Sequence, residues 1–505
     1  MKIELINTSL AKKIFFLLIL SFVGGITVQA QDQLLARVEF EKAETAFNNG
    51  NFNAALTSIE KTKEYLGSWN PKIGYLTIEI LNGLADLDKY PDQHTQKLTA
   101  EVKRYMEYAA GNEADLVMDK FKVVYDIDQR IQQAKRKYDE DQMPAYRAGQ
   151  QAYDNKDYQL AMREYLTAAN QGNSKAMRMI GRLHGNGLGV TQDWTQALEW
   201  YHKADLAGND EAALMIAMRY YGGEGVTKDY AKAMEWFMKA VDRGNADAMN
   251  HIGGLYAEGA GVAKDYNKTM EWYMKAADMG NTDAMVYIGG LYRDGTGVTK
   301  DYNKAMQWYM KAADKGNANA MYYIGVLYDN ELGVTKNYTK AMEWYGKATE
   351  QGNAYAMYGI GVLYYKGEGV AQDYHRAMEW FSRSADNGNA NAMNRIGIMY
   401  EYKEGVQGNT KERHVKAMEW YLQAAEKGNT AAMVNIGRLH SPHEASSSFG
   451  IERNYTLAME WFLKAADKGN AKAMEKIGWL YERGLGVKKN KTKAVEWYNK
   501  AKETK

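Results

Sequence analysis

A tryptophan recurs every 36 residues through the middle of this 505-residue chain. The series continues to the C-terminal end after steps of 40, 41 and 36 residues, and it comprises Trp200, Trp236, Trp272, Trp308, Trp344, Trp380, Trp420, Trp461 and Trp497. A Gly-Asn pair keeps the same register from Gly172-Asn173 to Gly469-Asn470. A period of this length indicates an array of small units, each of which is stabilised by stacking on its neighbours.

Each unit is predicted to form two helices. The unit Lys228–Val262 reads KDYAKAMEWFMKAVDRGNADAMNHIGGLYAEGAGV, and apolar residues follow steps of three and four in both halves. Gly244 can adopt the left-handed conformation that ends the first helix, and Asn245 can cap the second. Gly253 has no side chain and would let a neighbouring helix approach closely. We therefore expect an all-α fold in which antiparallel helix pairs stack on one another.

The residues of this unit resemble a known family. Ala-Met-x-x-Ile-Gly-x-Leu-Tyr-x-x-Gly-x-Gly-Val, followed by Asp-Tyr-x-Lys-Ala-Met-Glu-Trp-Tyr-x-Lys-Ala-Ala-Asp-x-Gly-Asn, is similar to the Sel-one-like repeat, a 36-residue relative of the tetratricopeptide repeat. The resemblance covers residues 144–505 as about ten helix pairs, and it implies an α-solenoid with the shape of a curved superhelix. It also implies that the second helix of each unit lines the concave face. Such repeats serve as general scaffolds, so the resemblance specifies the fold more closely than the function.

Residues 31–143 lack the period but keep a helical pattern. Ala43–Leu56 resembles a tetratricopeptide helix–turn–helix with Gly50 in the turn. Further helices are predicted at Ile73–Leu87, Leu98–Ala110 and Glu113–Tyr138. We expect this region to cap the array at one end, and a Lys-rich helix at Asn490–Lys505 to cap it at the other.

The first 30 residues have the pattern of a cleavable secretory signal. Lys12 and Lys13 precede the apolar run Ile14–Val28, and Val28-Gln29-Ala30 supplies small residues for cleavage before Gln31. The run is shorter than the roughly 20 residues of a membrane helix, so a retained anchor is the weaker alternative. The chain has no cysteine for lipid attachment. We expect an exported protein, periplasmic or secreted, with no membrane span after cleavage.

Composition excludes several functions. Lys plus Arg is 64 and Asp plus Glu is 63, so the chain lacks the basic surplus of a dedicated nucleic-acid-binding protein. The absence of cysteine removes disulfides, thiolate nucleophiles and cysteine-ligated metal centres. We expect no nucleic-acid partner and no cofactor.

The short motifs of this chain give little support to a catalytic function. The Gly-x-Gly-Val loops recur along the array and never continue into a P-loop, so we interpret them as turns. Ser58-Ile59-Glu60-Lys61 matches the Ser-x-x-Lys of serine β-lactamases, but neither Ser-Asp-Asn nor Lys-Thr-Gly occurs in the chain. The densest set of potential metal ligands is His440-Ser441-Pro442-His443-Glu444, and whether it binds a metal stays open. The register tryptophans could stack on sugars, but we interpret them as packing residues.

These observations favour a non-enzymatic scaffold that mediates protein–protein interactions in the bacterial envelope or the secreted space. The alternatives are a β-lactamase-like or other envelope hydrolase and a glycan-binding module.

Binding residues are expected where otherwise similar repeats differ. Two positions of the second helix, three residues apart, vary from unit to unit while the apolar positions hardly change. Along the array they run from aromatic to basic, which is typical of a groove for an extended peptide. The candidate partner-binding residues are His251, Tyr287, Tyr323, Arg395, Asn435 and Lys476 at the first position, and Arg438 and Trp479 at the second.

Two insertions break the register near the C-terminal end. Four residues enter between Val406 and Trp420, and five more enter at His440–Gly450. We interpret both as extended turns that project from one edge of the solenoid, where insertions often build a binding face. The basic residues Arg395, Arg438, Lys476 and Arg483 lie beside them. This pattern predicts that an acidic or extended protein segment binds at residues 395–483.

Overall fold

The computed structural model describes residues 28–111, 118–441 and 451–504, and within these ranges every regular element is helical. The first helices are Val28–Asn48, Phe52–Leu66, Pro71–Leu84, Gln93–Gly111 and Met118–Gln142, with a single 3-10 turn at Leu87–Lys89. An irregular helix pair follows at Pro144–Asp154 and Tyr158–Asn170. The helix–turn–helix predicted around Gly50 is present, and Gly50 has a φ of +72°.

Two kinds of helix then alternate. The tryptophan helices carry the register tryptophans and are Trp194–Leu206, Tyr230–Asp242, Tyr266–Asp278, Tyr302–Asp314, Tyr338–Glu350, Tyr374–Asp386, Thr410–Glu426, Tyr455–Asp467 and Lys491–Glu503. The glycine helices carry the Ile-Gly motif, or Ile-Ala in the second of them, and are Ser174–Asn186, Ala212–Gly222, Ala246–Glu258, Thr282–Asp294, Ala318–Asp329, Ala354–Lys366, Ala390–Tyr402, Thr430–His440 and Ala471–Arg483. The all-α class and the paired helices of a solenoid are confirmed.

The chain divides into two compact units. One unit extends to Ala212 and includes Glu224–Val226, and the other consists of Ala213–Gly223 and the chain from Thr227 onward. The N-terminal region and the first repeats therefore share one unit. The remaining repeats form the other.

Within the first unit, polar contacts join the N-terminal region to the first repeat. The Glu140 carboxylate accepts hydrogen bonds from the backbone N–H and the hydroxyl of Ser174, both at 3.1 Å. Lys175 pairs with Asp141 at 2.5 Å. The helix Met118–Gln142 thus covers the first glycine helix, as a cap does.

The Gly-Asn pair ends one helix and starts the next. Gly244 has a φ of +77°, and its N–H donates to the carbonyl of Val241 at 2.8 Å. The Asn245 N–H donates to the carbonyl of Ala240 at 3.0 Å, which completes a Schellman-type ending. The Asn245 side chain then accepts the N–H of Ala248 at 2.8 Å. Both predicted roles are confirmed.

Close approach between paired helices depends on a glycine opposite an aromatic ring. A Cβ at Gly253 would lie 2.5 Å from the ring of Tyr273, so any larger residue would force the helices apart. Ala217 holds this position in the helix Ala212–Gly222. The same contact joins Gly181 to Tyr201, Gly289 to Tyr309, Gly325 to Tyr345, Gly361 to Phe381, Gly397 to Tyr421, Gly437 to Phe462 and Gly478 to Tyr498.

The first of the two insertions is helical, and the prediction of a projecting turn there is wrong. The helix Thr410–Glu426 has 17 residues, whereas each of the other tryptophan helices has 13. The four extra residues add one turn at its N-terminal end because Asn409 and Glu412 form a reciprocal capping box. The buried Arg413 side chain also donates to two backbone carbonyls of the preceding glycine helix at 3.2 Å.

Two other predictions fall outside the described residues. The inserted residues 442–450 are among them, as is most of the proposed signal at residues 1–27. Among the helices of the described chain, none is both long enough and apolar enough to cross a membrane.

Candidate binding surface

The eight candidate residues lie on glycine helices of the second unit, with none on the helix Ala354–Lys366, and we call them the variable row. Most of them are half-buried, and Tyr287 is the most exposed at 50% of its surface. The family resemblance implied that the helices carrying these residues line a concave face. The structure shows that many of these side chains pack against the core of their own repeat or contact the neighbouring repeat.

The aromatic members of the row cover the rings of the core. The ring centroids lie 5.1 to 5.4 Å apart in three stacked pairs, His251 on Phe237, Tyr287 on Tyr273 and Tyr323 on Tyr309. The covered ring is in each case the one at the register position after the tryptophan. Burial lowers the pKa of His251, which favours its neutral form.

Three polar members of the row, Arg395, Asn435 and Arg438, contact the preceding repeat. The Arg395 guanidinium lies 5.1 Å from the centroid of the Tyr365 ring. Arg438 forms an ion pair with Glu401 at 2.6 Å. Asn435 donates its side-chain N–H to the Asn394 amide oxygen at 3.0 Å. Because these groups have intramolecular partners, the groove expected at residues 395–483 offers less free positive charge than the sequence indicates.

These contacts follow a rule that the sequence analysis missed. The residue four positions after the Ile-Gly glycine reaches the variable row of the next repeat, as Tyr365 reaches Arg395 and Glu401 reaches Arg438. Arg293 reaches Tyr323 in the same way, at 4.9 Å from the ring centroid. A search for matched residue pairs one repeat apart could have found them. Whether the row binds a partner stays a prediction.

The buried tyrosines opposite the glycines differ in how their hydroxyls are satisfied. In three repeats the hydroxyl donates to an acid four residues after the glycine, namely Tyr345 to Asp329 at 3.2 Å, Tyr421 to Glu401 at 2.8 Å and Tyr498 to Glu482 at 3.1 Å. Burial raises the pKa of Asp329, although the hydrogen bond from Tyr345 acts in the opposite direction. These acids therefore complete the core of their repeats.

The central repeats lack such acceptors. Ala257 and Arg293 hold the position of the acid beside Tyr273 and Tyr309. The Tyr309 hydroxyl is buried and has no hydrogen-bond partner in the described chain. An unpaired buried donor is costly, so the central repeats differ chemically from those on their C-terminal side.

Two side-chain-free positions, Gly254 and Gly290, directly follow the glycines that contact these two tyrosines. A Cβ at Gly290 would meet no atom within 4 Å, and a Cβ at Gly254 would meet only the Tyr273 hydroxyl, at 3.9 Å. We call the surface formed by Gly254, Gly290, Tyr273, Tyr287 and Tyr309 the central tyrosine site. It combines open space at two glycines, an exposed ring and two hydroxyl donors, of which that of Tyr309 is buried.

The register tryptophans are packing residues rather than free platforms. Each is half-buried, and Trp308 packs against the core formed by its own repeat and the adjacent ones. A cation three residues later lies 4.0 to 4.9 Å from the ring centroid in the pairs Lys203–Trp200, Lys239–Trp236, Lys275–Trp272, Lys311–Trp308, Lys347–Trp344, Arg383–Trp380, Lys464–Trp461 and Lys500–Trp497. Gln423 takes the place of the cation after Trp420.

The remaining motifs have structural contacts. In Gly-x-Gly-Val, a Cβ on the second glycine, Gly261, would lie 2.5 Å from the Cβ of Tyr230, so packing requires the glycine. The His440 Nδ1 lies 3.0 Å from the carbonyl oxygen of Glu452, whereas His443 lies outside the described residues. Within the described ranges, no three His, Asp or Glu side chains are arranged to hold a metal ion.

Stacked helix pairs with a variable row define this chain as a repeat scaffold protein. The model of the Sel1 repeat matches nine consecutive segments, at residues 174–209, 210–245, 246–281, 282–317, 318–353, 354–389, 390–429, 430–470 and 471–503. The chain therefore belongs to the Sel1 repeat family. No curated protein matches the sequence.

Solved structures of other repeat proteins are similar to it, and two of them follow. A protective antigen present in uropathogenic Escherichia coli strains, which displays an SLR fold, is 29% identical over 86% of this chain and 90% of its own, with a TM-score of 0.44. A Sel1 repeat protein from Oxalobacter formigenes is 36% identical over 47% of this chain and 98% of its own, with a TM-score of 0.44. The family assignment rests on the nine matched repeats.

Proposed function

We propose that this Sel1 repeat scaffold is exported and binds an extended segment of a protein partner on its variable row. The observation that carries the proposal is the change of residue class along the row, from His251 and Tyr287 to Arg395 and Lys476, within repeats that are otherwise nearly identical. Intramolecular contacts account for Arg395 and Arg438, but they do not account for the half-exposed ring of Tyr287. A row that varies while its surroundings stay constant is typical of a surface that recognises the amino-acid sequence of a partner segment.

The aromatic half of the row is the better candidate for the contact. Tyr287 is exposed over 50% of its surface, whereas Arg395 and Arg438 contact Tyr365 and Glu401. Large, half-exposed aromatic rings are the residues that most often dominate binding energy at protein interfaces. No contact in the described chain favours the hydrolase or the glycan-binding alternative.

A photo-crosslinking experiment in the native host tests the binding proposal. A benzophenone amino acid is placed at Tyr287 in the full-length chain, and at Met274 in a control variant. Both side chains are partly exposed, but Met274 lies on a tryptophan helix outside the variable row. We expect a protein adduct, identified by mass spectrometry, at Tyr287 and not at Met274. Equal adducts at both positions, or none at Tyr287, would contradict the proposal.

Export is tested separately. The apolar run Ile14–Val28 and the small residues at Val28-Gln29-Ala30 support cleavage before Gln31. N-terminal sequencing of the protein from the native host should start at Gln31. A mature protein that keeps Met1 and remains in the cytoplasm would refute this part of the proposal.

A further inference from the structure

We infer that the central tyrosine site binds an extended peptide that carries a carboxylate, with hydroxyl donors from Tyr273 and Tyr309 and the Arg293 guanidinium as its recognition groups. This inference rests on the proposed function and names the site and chemistry of its ligand.

The first argument is the unmet hydrogen-bonding capacity of Tyr309. Its side chain is fully buried, and its hydroxyl has no partner among the described residues. In the repeats of Tyr345, Tyr421 and Tyr498, an acid of the chain accepts the equivalent hydrogen. At Tyr309 the equivalent position is Arg293, which can only donate. An oxygen acceptor from outside the chain would satisfy the Tyr309 hydroxyl.

The second argument is the access to this acceptor position. The Arg293 side chain lies over the ring of Tyr323, and its Nε and Nη2 bond the adjacent Asp294 at 2.8 Å. Asp294 is 52% exposed, so its contact is easily exchanged. If a ligand carboxylate replaces Asp294, the guanidinium can turn outward while its charge stays paired. The site can open without leaving an unpaired buried cation.

The third argument is that the same chemistry occurs one repeat earlier. The Tyr273 hydroxyl points to the space that a side chain at position 254 would fill, 3.9 Å from its Cβ, and no acid of its repeat accepts from it. Equivalent helices in such a stack lie about 10 Å apart, which three residues of an extended chain span. One peptide can therefore place a backbone carbonyl at Tyr273 and an acidic side chain at Tyr309.

Electrostatic complementarity favours this occupant over a basic peptide. Four acids surround the site, and each has a hydrogen-bond donor within the chain. Asp247 accepts from Asn281 at 2.6 Å and Asp283 accepts from Asn317 at 2.8 Å. Glu258 accepts from Tyr221 at 3.3 Å and Asp294 accepts from Arg293 at 2.8 Å. The groups left for a ligand are donors, and Tyr287 supplies an exposed ring between them. Donors in a partly desolvated site bind a carboxylate more strongly than a neutral group.

A random dodecapeptide library displayed on phage is the probe for the test. The library is selected on the immobilised full-length protein, and enriched peptides are synthesised for affinity measurement by fluorescence anisotropy. The test variant carries Tyr273→Phe and Tyr309→Phe. The control carries Tyr345→Phe and Tyr498→Phe, which remove hydroxyls that donate within the chain. Circular dichroism confirms that each variant is folded.

We expect enriched peptides to share an Asp or Glu. Loss of two hydrogen bonds should weaken their binding roughly tenfold in the test variant and leave it within about twofold in the control. Replacing the shared acid by Ala should cause a similar loss. Equal affinity for the test variant and the unmodified chain, or no enrichment at all, overturns the inference. Neither outcome affects the proposed function, because crosslinking at Tyr287 in the host reports on it independently.

Discussion

Gly325 lies so close to Tyr345 that a Cβ at position 325 would stand 2.5 Å from the ring. The ring is 2% exposed, and its hydroxyl bonds Asp329 on the same helix as the glycine. One glycine helix and the following tryptophan helix are therefore joined through a ring that fits against bare backbone. This contact explains why Ile-Gly recurs in the repeats, and it leads to the first prediction.

Gly325→Ala should lower the free energy of unfolding by about 1–3 kcal/mol, because the added methyl group forces the two helices apart. The matched control is Gly346→Ala, since a Cβ at this helical glycine meets no atom within 4 Å. The control should raise stability by about 0.5–1 kcal/mol through the lower backbone entropy of the unfolded chain. Urea unfolding measures both. Equal effects of the two substitutions would show that the ring contact does not restrict position 325.

We expect the amide oxygen and the amide nitrogen of the asparagine in the Gly-Asn pair to contribute separately to stability. Asn317 accepts the N–H of Ala320 at 3.0 Å and donates to Thr282 at 3.0 Å and to Asp283 at 2.8 Å. Asn317→Asp keeps the cap but removes the donor and places a second carboxylate beside Asp283. We expect a loss of about 1–3 kcal/mol in the free energy of unfolding.

The control for this substitution is Asn337→Asp. Asn337 caps a tryptophan helix through the N–H of Lys340 at 2.9 Å, and the equivalent residue of the preceding repeat is Asp301. An acid at a helix N-terminus is favourable, so stability should stay the same or rise slightly. Thermal unfolding at pH 7 and low salt distinguishes the two. A comparable loss in the control would mean that capping alone explains the asparagine.

The cation over a register tryptophan should make a small contribution to stability. Removing the cation should lower stability, and adding one where it is missing should raise it. Lys311→Gln removes the charge 4.1 Å from the Trp308 ring and should cost about 0.5 kcal/mol. Gln423→Lys adds the missing cation beside Trp420 and should stabilise the chain by a similar amount. Chemical denaturation of both variants is the measurement. If Gln423→Lys brings no gain in a folded protein, the cation–ring contact is not a source of stability.

Two aspartates should give opposite pH dependences. Burial raises the pKa of Asp329 above its ordinary value of 3.8, so ionisation opposes folding and the stability from this group is lost as pH rises through the folded-state pKa. Asp329→Asn does not titrate, and its stability relative to the unmodified chain should increase between pH 3 and pH 7. Urea unfolding at a series of pH values measures the difference.

For Asp294 the sign is reversed. The hydrogen bond from Arg293 lowers its pKa, so its stabilising effect is present at neutral pH and is lost as pH falls through the folded-state pKa. Asp294→Asn should therefore be destabilising at pH 7 and nearly neutral near pH 3. Parallel pH profiles for the two variants would contradict at least one of the two assignments.

Most of the fold could be predicted from the sequence because its signals are local. The period, the apolar steps and the Gly-Asn pair indicate each helix and its ends within one or two residues. The wrong prediction at residues 406–420 shows that the length of an insertion does not decide its conformation. Four extra residues suit a longer turn or one more helical turn equally well, and only the capping box of Asn409 and Glu412 distinguishes them.

The candidate site was predicted less well. Its residues were found at the correct helical position, but their contacts depend on neighbours about one repeat away. From the sequence alone Arg438 is interpreted as a free cation, whereas in the structure it is paired with Glu401. From the sequence alone Tyr309 is interpreted as an ordinary core residue. In the structure its hydroxyl has no acceptor among the described residues, because Arg293 holds the position that Asp329 holds in the next repeat.

The sequence by itself determined the repeat, the two helices of each unit and the residues that vary between units, because helix formation and capping depend on neighbours within about four positions. Only the tertiary structure decided which variable side chains are paired and which hydroxyls lack an acceptor. Those properties arise where one repeat meets the next, across about 30 residues of chain. Packing brings Arg293 to Tyr323, and Arg395 to Tyr365, with a geometry that no single unit contains.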